Sequence, residues 1–539
     1  MAVPEKNGVV DAPTTDIEAS AIHREDGSVH RGLKSRHIQF MALGGTIGTG
    51  LFLSIGTALT RGGPLSLLLG YSVTGMFLYA MMTGLGEMAS WLPLPGAIPQ
   101  FCSRYVDDAL GFAIGYNSWY AATFSACSDI SAASVVIKYW TDEVNPGVWI
   151  TIIIVSIVLL NCIAVGIFGE AEFIFVIVKV VTLLGLLVLS LVIDLGGGPT
   201  HDRLGFRYWK HPGAMKEYLA GGSLGHFLGF FSVLINASFS YGGIELVAVA
   251  AGEATNPRRN IPKAVRRTFW RILFFFVLGT LAVGCLVPYD EPHLLSAQAS
   301  DAPGAAQSPW VIAITKAGIS GLPSVINAVI LSSAISAANE WLFAGSRYLY
   351  ALADNRHAPR VFSRCSKRGV PYVSTLFTAC VLCLTYLNIS SRGSTVFQWF
   401  SSITAISNCF TWGAICVAYV QFHRALQAQG VGRDTLPYRA PLQPYATYAA
   451  LVFFGIVVVF SGFAVFVGHF DAQGFLTTYI NIPVFVTLYV GFKVITKSKI
   501  RAPAEIDLFS GKAQVDMEEC RWVESEPRHV LGKVWAWIA

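Results

Sequence analysis

The amino-acid sequence predicts an all-α polytopic membrane protein with twelve transmembrane helices, the first ten forming two inverted five-helix repeats. Three observations support this fold class. The chain of 539 residues is 53% hydrophobic and only 13% charged, whereas a soluble protein carries about 25% charged residues. Its apolar residues fall into twelve runs long enough to cross a bilayer. Two of these runs, the first and the sixth, are interrupted by glycines at corresponding places.

The order of polar and apolar stretches gives the predicted organisation. Residues 1–36 form an N-terminal tail, 37–195 hold spans 1–5, 196–225 form an extracellular loop, 226–422 hold spans 6–10, 423–496 hold spans 11 and 12, and 497–539 form a C-terminal tail. In chain order, spans 1–12 are 38–60, 65–92, 109–137, 148–168, 171–194, 226–251, 271–289, 323–345, 372–390, 396–421, 446–469 and 474–496.

The distribution of charge orients these spans. An even number of spans puts both tails on one side, and the loops on that side carry more Lys and Arg than the opposite loops. The positive-inside rule therefore predicts that both termini are cytoplasmic. The N-terminus carries acids and no apolar core, so we expect no cleaved signal peptide. The ten cysteines lie mostly within apolar runs, which does not suggest a disulfide framework.

Span 1 contains the motif G-G-T-I-G-T-G at 44–50. Glycine weakens a helix by about 1 kcal/mol relative to alanine, and backbone within a membrane breaks only where its polar groups find other partners. We therefore expect a broken helix whose N–H groups point into a cavity and hold a carboxylate. One alternative, a phosphate-binding loop, requires a preceding strand. The other is that these glycines only allow helices to pack closely.

Span 6 carries a similar interruption in N-A-S-F-S-Y-G-G-I-E-L at 236–246. Five spans separate the two features, and this odd number gives the two repeats opposite orientations. Interrupted helices at corresponding positions of two repeats indicate the binding site of a transporter. The sequence has no cluster of His, Cys or paired acids with catalytic spacing, so we expect neither an enzyme nor a nucleic-acid-binding protein.

Five motifs carry a resemblance to a known family. They are R-G-L-K-S-R-H-I-Q-F-M-A-L-G-G-T-I-G-T-G-L-F at 31–52, Y-G-G-I-E-L-V-A-V-A-A-G-E-A-T-N-P-R-R-N-I-P-K-A at 241–264, A-G-S-R-Y-L-Y-A-L-A at 344–353, K-R-G-V-P-Y at 367–372 and L-P-Y-R-A-P at 436–441. From about 31 to 500 the chain resembles the fungal and bacterial amino acid permeases of the amino acid–polyamine–organocation superfamily. The resemblance implies a leucine-transporter-like fold with two extra helices and proton-coupled uptake of L-amino acids across the plasma membrane by alternating access.

The same resemblance implies a set of substrate-binding positions. They are Thr46, Ile47, Gly48, Thr49 and Gly50, whose backbone would bind the substrate carboxylate, and Phe239, Ser240 and Tyr241, whose carbonyl groups would bind the α-ammonium group. Phe239 also occupies the position of an aromatic gate in relatives. The chemistry is consistent, because a zwitterion needs donors at one end and acceptors at the other.

Lys179 stands alone as a cation within span 5. A charge at mid-helix costs about 2.5–3.5 kcal/mol on insertion scales, and the family implies that this lysine replaces a sodium ion and exchanges a proton. The alternative is a structural ammonium that ties helices together through backbone carbonyls. Glu245, just past the break in span 6, would exchange protons or hold the helix. No cofactor is expected other than protons as the coupling ion.

Four further polar residues are candidates for gating or selectivity: Asp129 in span 3, Glu253 after span 6, and Asn339 and Glu340 in span 8. Glu253 either pairs with an arginine as a cytoplasmic gate or lies at a solvated helix end. We hypothesise that Glu340 faces the side-chain end of the pocket, which would disfavour acidic substrates and admit basic ones beside neutral ones. The alternative is that Glu340 pairs with an arginine or lysine away from the pocket.

Two other functions remain open from the sequence: an exchanger without net proton flow, and an amino acid sensor that transports little. The tails resemble regulatory tails of fungal relatives, so Lys6, Lys34 or Lys512 could accept ubiquitin from a ubiquitin ligase. The acids and tryptophans of 497–539 suggest a segment that docks on the cytoplasmic face. Asn388, in the sequon N-I-S, would be a glycosylation site if it faced outward.

Overall fold

The computed structural model describes residues 44–93, 97–141, 143–163, 165–246, 257–300, 308–367, 369–390, 393–467 and 470–521. Within these ranges the chain is helical and has no strand, which confirms the all-α prediction. The N-terminal tail with Lys6 and Lys34, and the candidate gate residue Glu253, lie outside the described residues.

Eleven helical segments of the described chain are long and apolar enough to cross a membrane, whereas the sequence predicts twelve. The difference arises in the first segment, Gly44–Trp91, in which spans 1 and 2 are joined. Gly63 interrupts this segment with φ 79° and ψ 173°, a conformation that glycine adopts without steric cost. The number twelve stays a prediction. We keep the predicted span numbers and write spans 1 and 2 as 44–62 and 64–91.

The other spans have the following bounds: span 3 Asp108–Ile137, span 4 Pro146–Ile163, span 5 Val165–Asp194, span 6 Gly222–Ser240, span 7 Pro257–Leu286, span 8 Leu322–Asp354, span 9 Tyr372–Leu382, span 10 Gly393–Ala428, span 11 Tyr445–Phe460 and span 12 Ala472–Thr496. Shorter helices in the connections are Ala97–Tyr105, Pro292–Ser300 and Pro309–Lys316, and Lys512–Arg521 lies in the C-terminal tail.

Spans 3 and 8 pack against each other at the centre of the protein. Their facing residues include buried alanines, among them Ala126 and Ala133 of span 3 and Ala334 and Ala337 of span 8. Small residues let two helix backbones approach closely within a membrane. Spans 5, 11 and 12, in contrast, expose large apolar side chains as lipid-facing helices do. The polar residues of spans 3 and 8 therefore lie in the interior.

The described part of the C-terminal tail docks on the helical domain, near the helix Ala97–Tyr105. The indole N–H of Trp91 donates to the Leu508 carbonyl at 2.8 Å, and Leu508 is buried. The guanidinium of Arg104 forms an ion pair with Asp507 at 2.9 Å. Burial raises the pKa of Asp507, but hydrogen bonds from the backbone N–H and the hydroxyl of Ser510, together with the Arg104 charge, outweigh it and lower the pKa. The segment V-W-A-W-I-A lies beyond the described residues.

Asn388 is buried, and its amide nitrogen donates to the Ser131 hydroxyl at 3.0 Å. A glycan on this nitrogen would displace that contact and find no room. The structure therefore argues against glycosylation of the N-I-S sequon in the folded protein.

Candidate functional site

The predicted break in span 1 is confirmed. The helix is interrupted at Ile47 and Gly48, and a π-helical turn, Gly50–Ser54, follows before regular α-helix resumes. Glycines at this point leave the backbone open to approach from neighbouring helices. The Ile47 carbonyl accepts a hydrogen bond from Ser333 of span 8 at 3.3 Å, so a neighbouring helix satisfies part of the broken backbone, as the membrane interior requires.

The predicted break in span 6 is also confirmed. The helix ends at Ser240, and residues 241–245 form turns. Gly243 has φ 95°, in the left-handed region where a residue with a Cβ is strained. The glycine pair of the motif therefore marks the place where the helix unwinds.

The two breaks touch each other. A Cβ placed on Gly50 would lie 2.7 Å from the Ser240 Cα, and one on Gly243 would lie 3.2 Å from the carbonyl carbon of Gly45. The contact is reinforced by the Ser54 hydroxyl, which donates to Asn236 at 2.5 Å. The glycines therefore allow two non-helical backbone segments to come into contact, which is more than the close packing of regular helices.

A small cavity lies beside this contact. Its wall combines both breaks with spans 3 and 8, and it consists of Gly45, Thr46, Gly48, Thr49, Gly50, Ser125, Asp129, Phe239, Ser240, Gly242 and Trp341. The Thr49 hydroxyl donates to the Asp129 carboxylate at 2.7 Å. The cavity thus offers peptide groups, hydroxyls, one carboxylate and two aromatic rings.

Most of the predicted substrate-binding residues reach this cavity, but two do not line it. Ile47 is fully buried in the apolar core. Tyr241 is also fully buried; its hydroxyl donates to the Tyr71 carbonyl at 3.1 Å, and its ring stacks on Phe276. These two residues therefore do not contribute to the cavity wall.

Besides Gly45 and Gly242, which belong to the predicted breaks, the cavity wall contains two residues that the sequence analysis did not identify. Ser125 lies one helical turn before Asp129, so the i, i+4 spacing on span 3 could have indicated it. Trp341 follows Glu340 directly, and no signal in the sequence distinguishes it from other buried tryptophans. Its ring lies in the wall in place of the predicted Glu340.

A short connection covers the end of span 1 beyond the break. The Ser308 hydroxyl donates to the Phe52 carbonyl at 2.9 Å, and the Trp310 indole N–H donates to the Leu51 carbonyl at 3.1 Å. Both acceptors belong to the π-helical turn, and both donors are buried. These two hydrogen bonds attach the start of the helix Pro309–Lys316 to the π-helical turn of span 1.

Lys179 lies next to the break in span 1, where it binds a backbone carbonyl and interacts electrostatically with buried carboxylates. Its ammonium group donates to the Gly44 carbonyl at 2.9 Å, as expected of a lysine that ties span 5 to span 1. Fully buried carboxylates of Glu172 and Glu340 interact electrostatically with it. Glu172 was missed from the sequence, although it precedes Lys179 by two helical turns on the same face.

The hypothesis that Glu340 faces the side-chain end of the pocket is not supported. Glu340 is fully buried and does not line the cavity; it points toward Gly44 and Gly45, near Lys179. The alternative, that it interacts with a lysine away from the pocket, fits the structure. Helical rotation explains the difference, because consecutive residues face about 100° apart and Trp341 takes the inward position.

Asn339 and Glu245 also lie outside the cavity wall. Asn161 of span 4 donates to the Asn339 side-chain oxygen at 2.8 Å, which joins spans 4 and 8. The Trp412 indole N–H donates to the Glu245 carboxylate at 3.0 Å, which joins the turn after span 6 to span 10. Both contacts hold helices together.

Residues 37–503 match a family model described as "Amino acid permease". The chain belongs to the amino acid permease family. The permease is 44% identical over 518 residues to a proline-specific permease of Emericella nidulans, covering 95% of this chain and 94% of that protein. It is 42% identical over 500 residues to a dicarboxylic amino acid permease of Saccharomyces cerevisiae, covering 92% and 82%.

A solved structure supports the fold independently. The permease resembles a manganese transporter of Eremococcus coleocola, solved with an aromatic bis-isothiourea substituted compound, with a TM-score of 0.52. The alignment covers 86% of this chain and 94% of the other at 15% identity. At this identity the likeness concerns the fold alone.

Proposed function

We propose that this permease takes up L-amino acids across the plasma membrane, driven by protons, through alternating access. The observation that carries the proposal is the contact between two interrupted helices beside a small polar cavity. Interrupted helices of this kind offer donors from one helix end and acceptors from the other. An amino acid zwitterion requires both within one small site.

The peptide groups of Thr46 to Gly50 would bind the carboxylate, and the carbonyl groups of Phe239, Ser240 and Tyr241 would bind the ammonium group. Several features support this arrangement. The Gly50 backbone lies against Ser240 and the Gly45 backbone against Gly243, so the two groups of donors and acceptors can reach one small molecule. Asp129, which is buried in the wall and accepts a hydrogen bond from Thr49, adds a carboxylate to the site.

The composition of the wall suggests the range of substrates. Trp341 and Phe239 limit the space for a side chain, and Asp129 disfavours a second carboxylate. We propose neutral L-amino acids as the main substrates, with basic ones tolerated. The relative from Emericella nidulans is named proline-specific and the one from Saccharomyces cerevisiae dicarboxylic, so overall identity does not decide the substrate.

Replacing Trp341 with alanine tests the limit on substrate size. We expect inhibition of uptake by leucine or phenylalanine to strengthen about ten-fold relative to inhibition by alanine, because an added methylene in a tight apolar pocket changes discrimination by about 10–200-fold. Competition against one radiolabelled substrate measures this ratio. Trp399, which lies outside the wall in the same apolar cluster as Trp341, provides the control: its replacement by alanine should leave the ratio unchanged.

Uptake of a radiolabelled amino acid panel by purified protein in vesicles tests the main proposal. Moving one positive charge inward is worth about 2.3 kcal/mol per 100 mV, which supports roughly fifty-fold accumulation. We expect accumulation of neutral amino acids only when a pH gradient or an inside-negative potential is imposed. Counterflow without proton influx would show an exchanger instead, and binding without either would show a sensor.

Lys179 provides a test of the coupling. Replacing Lys179 with methionine keeps an unbranched side chain but removes the ammonium group that binds the Gly44 carbonyl. We expect gradient-driven accumulation to fall at least ten-fold, because protonation near Lys179 would no longer act on span 1. If Lys179 is only a structural ammonium, thermal stability will fall while the ratio of protons to substrate stays unchanged. Proton influx measured with an entrapped pH dye separates these outcomes.

The location and the tails complete the proposal. We propose a plasma-membrane protein with both termini in the cytoplasm, regulated by ubiquitin attached to Lys6, Lys34 or Lys512. The Lys512 ammonium contacts Asp516 at 2.9 Å and lies over the Trp91 ring at 4.9 Å. Ubiquitin attachment at Lys512 would therefore require this part of the tail to leave its docked position.

A further inference from the structure

Glu340 is a buried acid without hydrogen-bond partners among the described residues. Its side chain is fully buried, and neither carboxylate oxygen has a hydrogen-bond donor within the described residues. A buried ionised carboxylate without hydrogen bonds is costly, and such a group takes up a proton instead. Its state therefore depends on its neighbours.

Glu172 of span 5 and Glu340 of span 8 approach the backbone of span 1 at the same residue, Gly44. A Cβ atom placed on Gly44 would lie 3.0 Å from Glu172 Oε1 and 3.1 Å from Glu340 Oε2. Gly44 lacks this atom, so the two carboxyl groups approach the same stretch of backbone. The Ser336 hydroxyl donates to Glu172 in a short hydrogen bond, and no such donor reaches Glu340 among the described residues.

The charges around this site do not balance. The titratable groups that face it are Glu172 and Lys179 from span 5, Glu340 from span 8 and Asp129 from span 3. Ser336 and Asn339 are neutral, and Asp129 already accepts from Thr49. One ammonium group cannot compensate three buried carboxylates. Two like charges so close in a dry interior cannot both remain ionised, which is the condition for a shared proton.

We propose that Glu172 and Glu340 share one proton, and that this proton is the one transported with the amino acid. The proposal rests on the function proposed above and assigns the coupling proton to the carboxyl pair, with Lys179 remaining an ammonium group. The proton enters from extracellular water onto the pair while the cavity is open outward. It leaves to cytoplasmic water after the substrate, and no other bond is made or broken.

The pair would act on span 1 through Lys179. With the proton in place the pair carries one negative charge, and the ammonium group can stay on the Gly44 carbonyl at 2.9 Å. When the site opens to cytoplasmic water and the proton leaves, the hydrated pair carries two negative charges and competes with that carbonyl for the ammonium group. Weakening of this hydrogen bond would free the broken part of span 1 to move, which links proton release to the change of access.

The test compares E340Q with the wild-type protein in vesicles that contain a pH dye. Glutamine keeps the size of the side chain but cannot exchange a proton. For one proton per substrate, one pH unit drives about ten-fold accumulation. We expect E340Q to lose this accumulation and substrate-induced proton influx while keeping counterflow of labelled substrate. E172Q should behave in the same way. The control is E291Q, a buried glutamate paired with Lys316 in the connection before span 8, which should keep both activities.

The outcomes separate this inference from the proposed function. A wild-type protein without proton influx would contradict the proposed coupling itself. If both the wild-type protein and E340Q show substrate-induced proton influx, only the proposal that Glu172 and Glu340 share the transported proton is overturned. If neither variant folds, infrared spectra of the wild-type protein decide the question. We expect a carbonyl band of a buried protonated carboxyl group that changes on addition of substrate, and its absence would overturn the proposal.

Discussion

Replacing Gly50 with alanine is expected to abolish uptake, with a loss of at least about 100-fold. The new Cβ would lie 2.7 Å from the Cα and 2.9 Å from the Cβ of Ser240, closer than real side-chain atoms approach. Because the obstacle includes backbone, the two broken spans must move apart. A shift of about 1 Å in a positioned site costs on the order of 100-fold in rate, and overpacking adds a stability cost of about 1–3 kcal/mol.

The measurement is initial uptake and substrate-induced thermal stabilisation of the purified protein. The control is Gly185→Ala in span 5, where a Cβ would meet nothing within 4 Å and alanine favours the helix. G185A should transport as the wild type does. If G50A also transports normally, the contact between the two breaks is not required, and the binding arrangement proposed here is wrong.

The two breaks could be predicted because their signal is local. Glycines inside apolar runs are costly for a helix, so their presence at 44–50 and at Gly242 and Gly243 indicates irregular backbone without knowledge of the fold. Lys179 was predictable for a similar reason, since a lone charge within a span requires a partner. The structure shows the Gly44 carbonyl as its partner. One of the two sequence-based alternatives for Lys179, an ammonium group that binds backbone carbonyls, predicts a partner of this type.

The cavity wall and the charge cluster were less predictable because they depend on the rotation of each helix. Glu340 and Trp341 are neighbours in the chain, yet one lies near Lys179 and the other lines the cavity. The sequence of span 8 is apolar or small on several faces, so its pattern does not specify which face turns inward. Glu172 carried a usable signal in its spacing from Lys179, but only the structure shows that Glu340 faces it.

A second buried charge, Glu87, holds the connection between spans 10 and 11. Glu87 lies in span 2, is 1% exposed, and accepts hydrogen bonds from the Arg433 guanidinium at 2.5 Å, the Tyr419 hydroxyl at 2.7 Å and the Ala440 N–H at 2.8 Å. Arg433 also donates to the carbonyls of Ala440 and Gln443. Burial lowers the pKa of Arg433, but its hydrogen bonds to Glu87 outweigh this and raise it.

This arrangement explains the motif L-P-Y-R-A-P at 436–441, which has no role in the cavity. The connection contains little regular structure, with one short turn, Arg433–Thr435, so its backbone groups need partners from side chains. The Glu87 carboxylate accepts from the backbone N–H of Ala440, and the Arg433 guanidinium donates to the backbone carbonyls of Ala440 and Gln443. The motif therefore belongs to the attachment of spans 10 and 11 to span 2.

Replacing Arg433 with alanine is expected to destabilise the protein by about 3 kcal/mol, because it leaves the Glu87 carboxylate buried without its ionic partner, a change that typically costs about 3–5 kcal/mol. The partial exposure of Arg433, 24% for its side chain, places the effect at the lower end. Thermal or denaturant unfolding in detergent measures the loss.

Arg501→Ala is the control, because its ion pair with Asp108 is exposed on both sides and such pairs contribute about 0–1 kcal/mol. The double variant E87Q/R433Q should be more stable than R433A, since it removes both charges together. If R433A and R501A lose equal stability, Glu87 finds another partner, and the attachment of this connection must depend on Tyr419 and the backbone contacts instead.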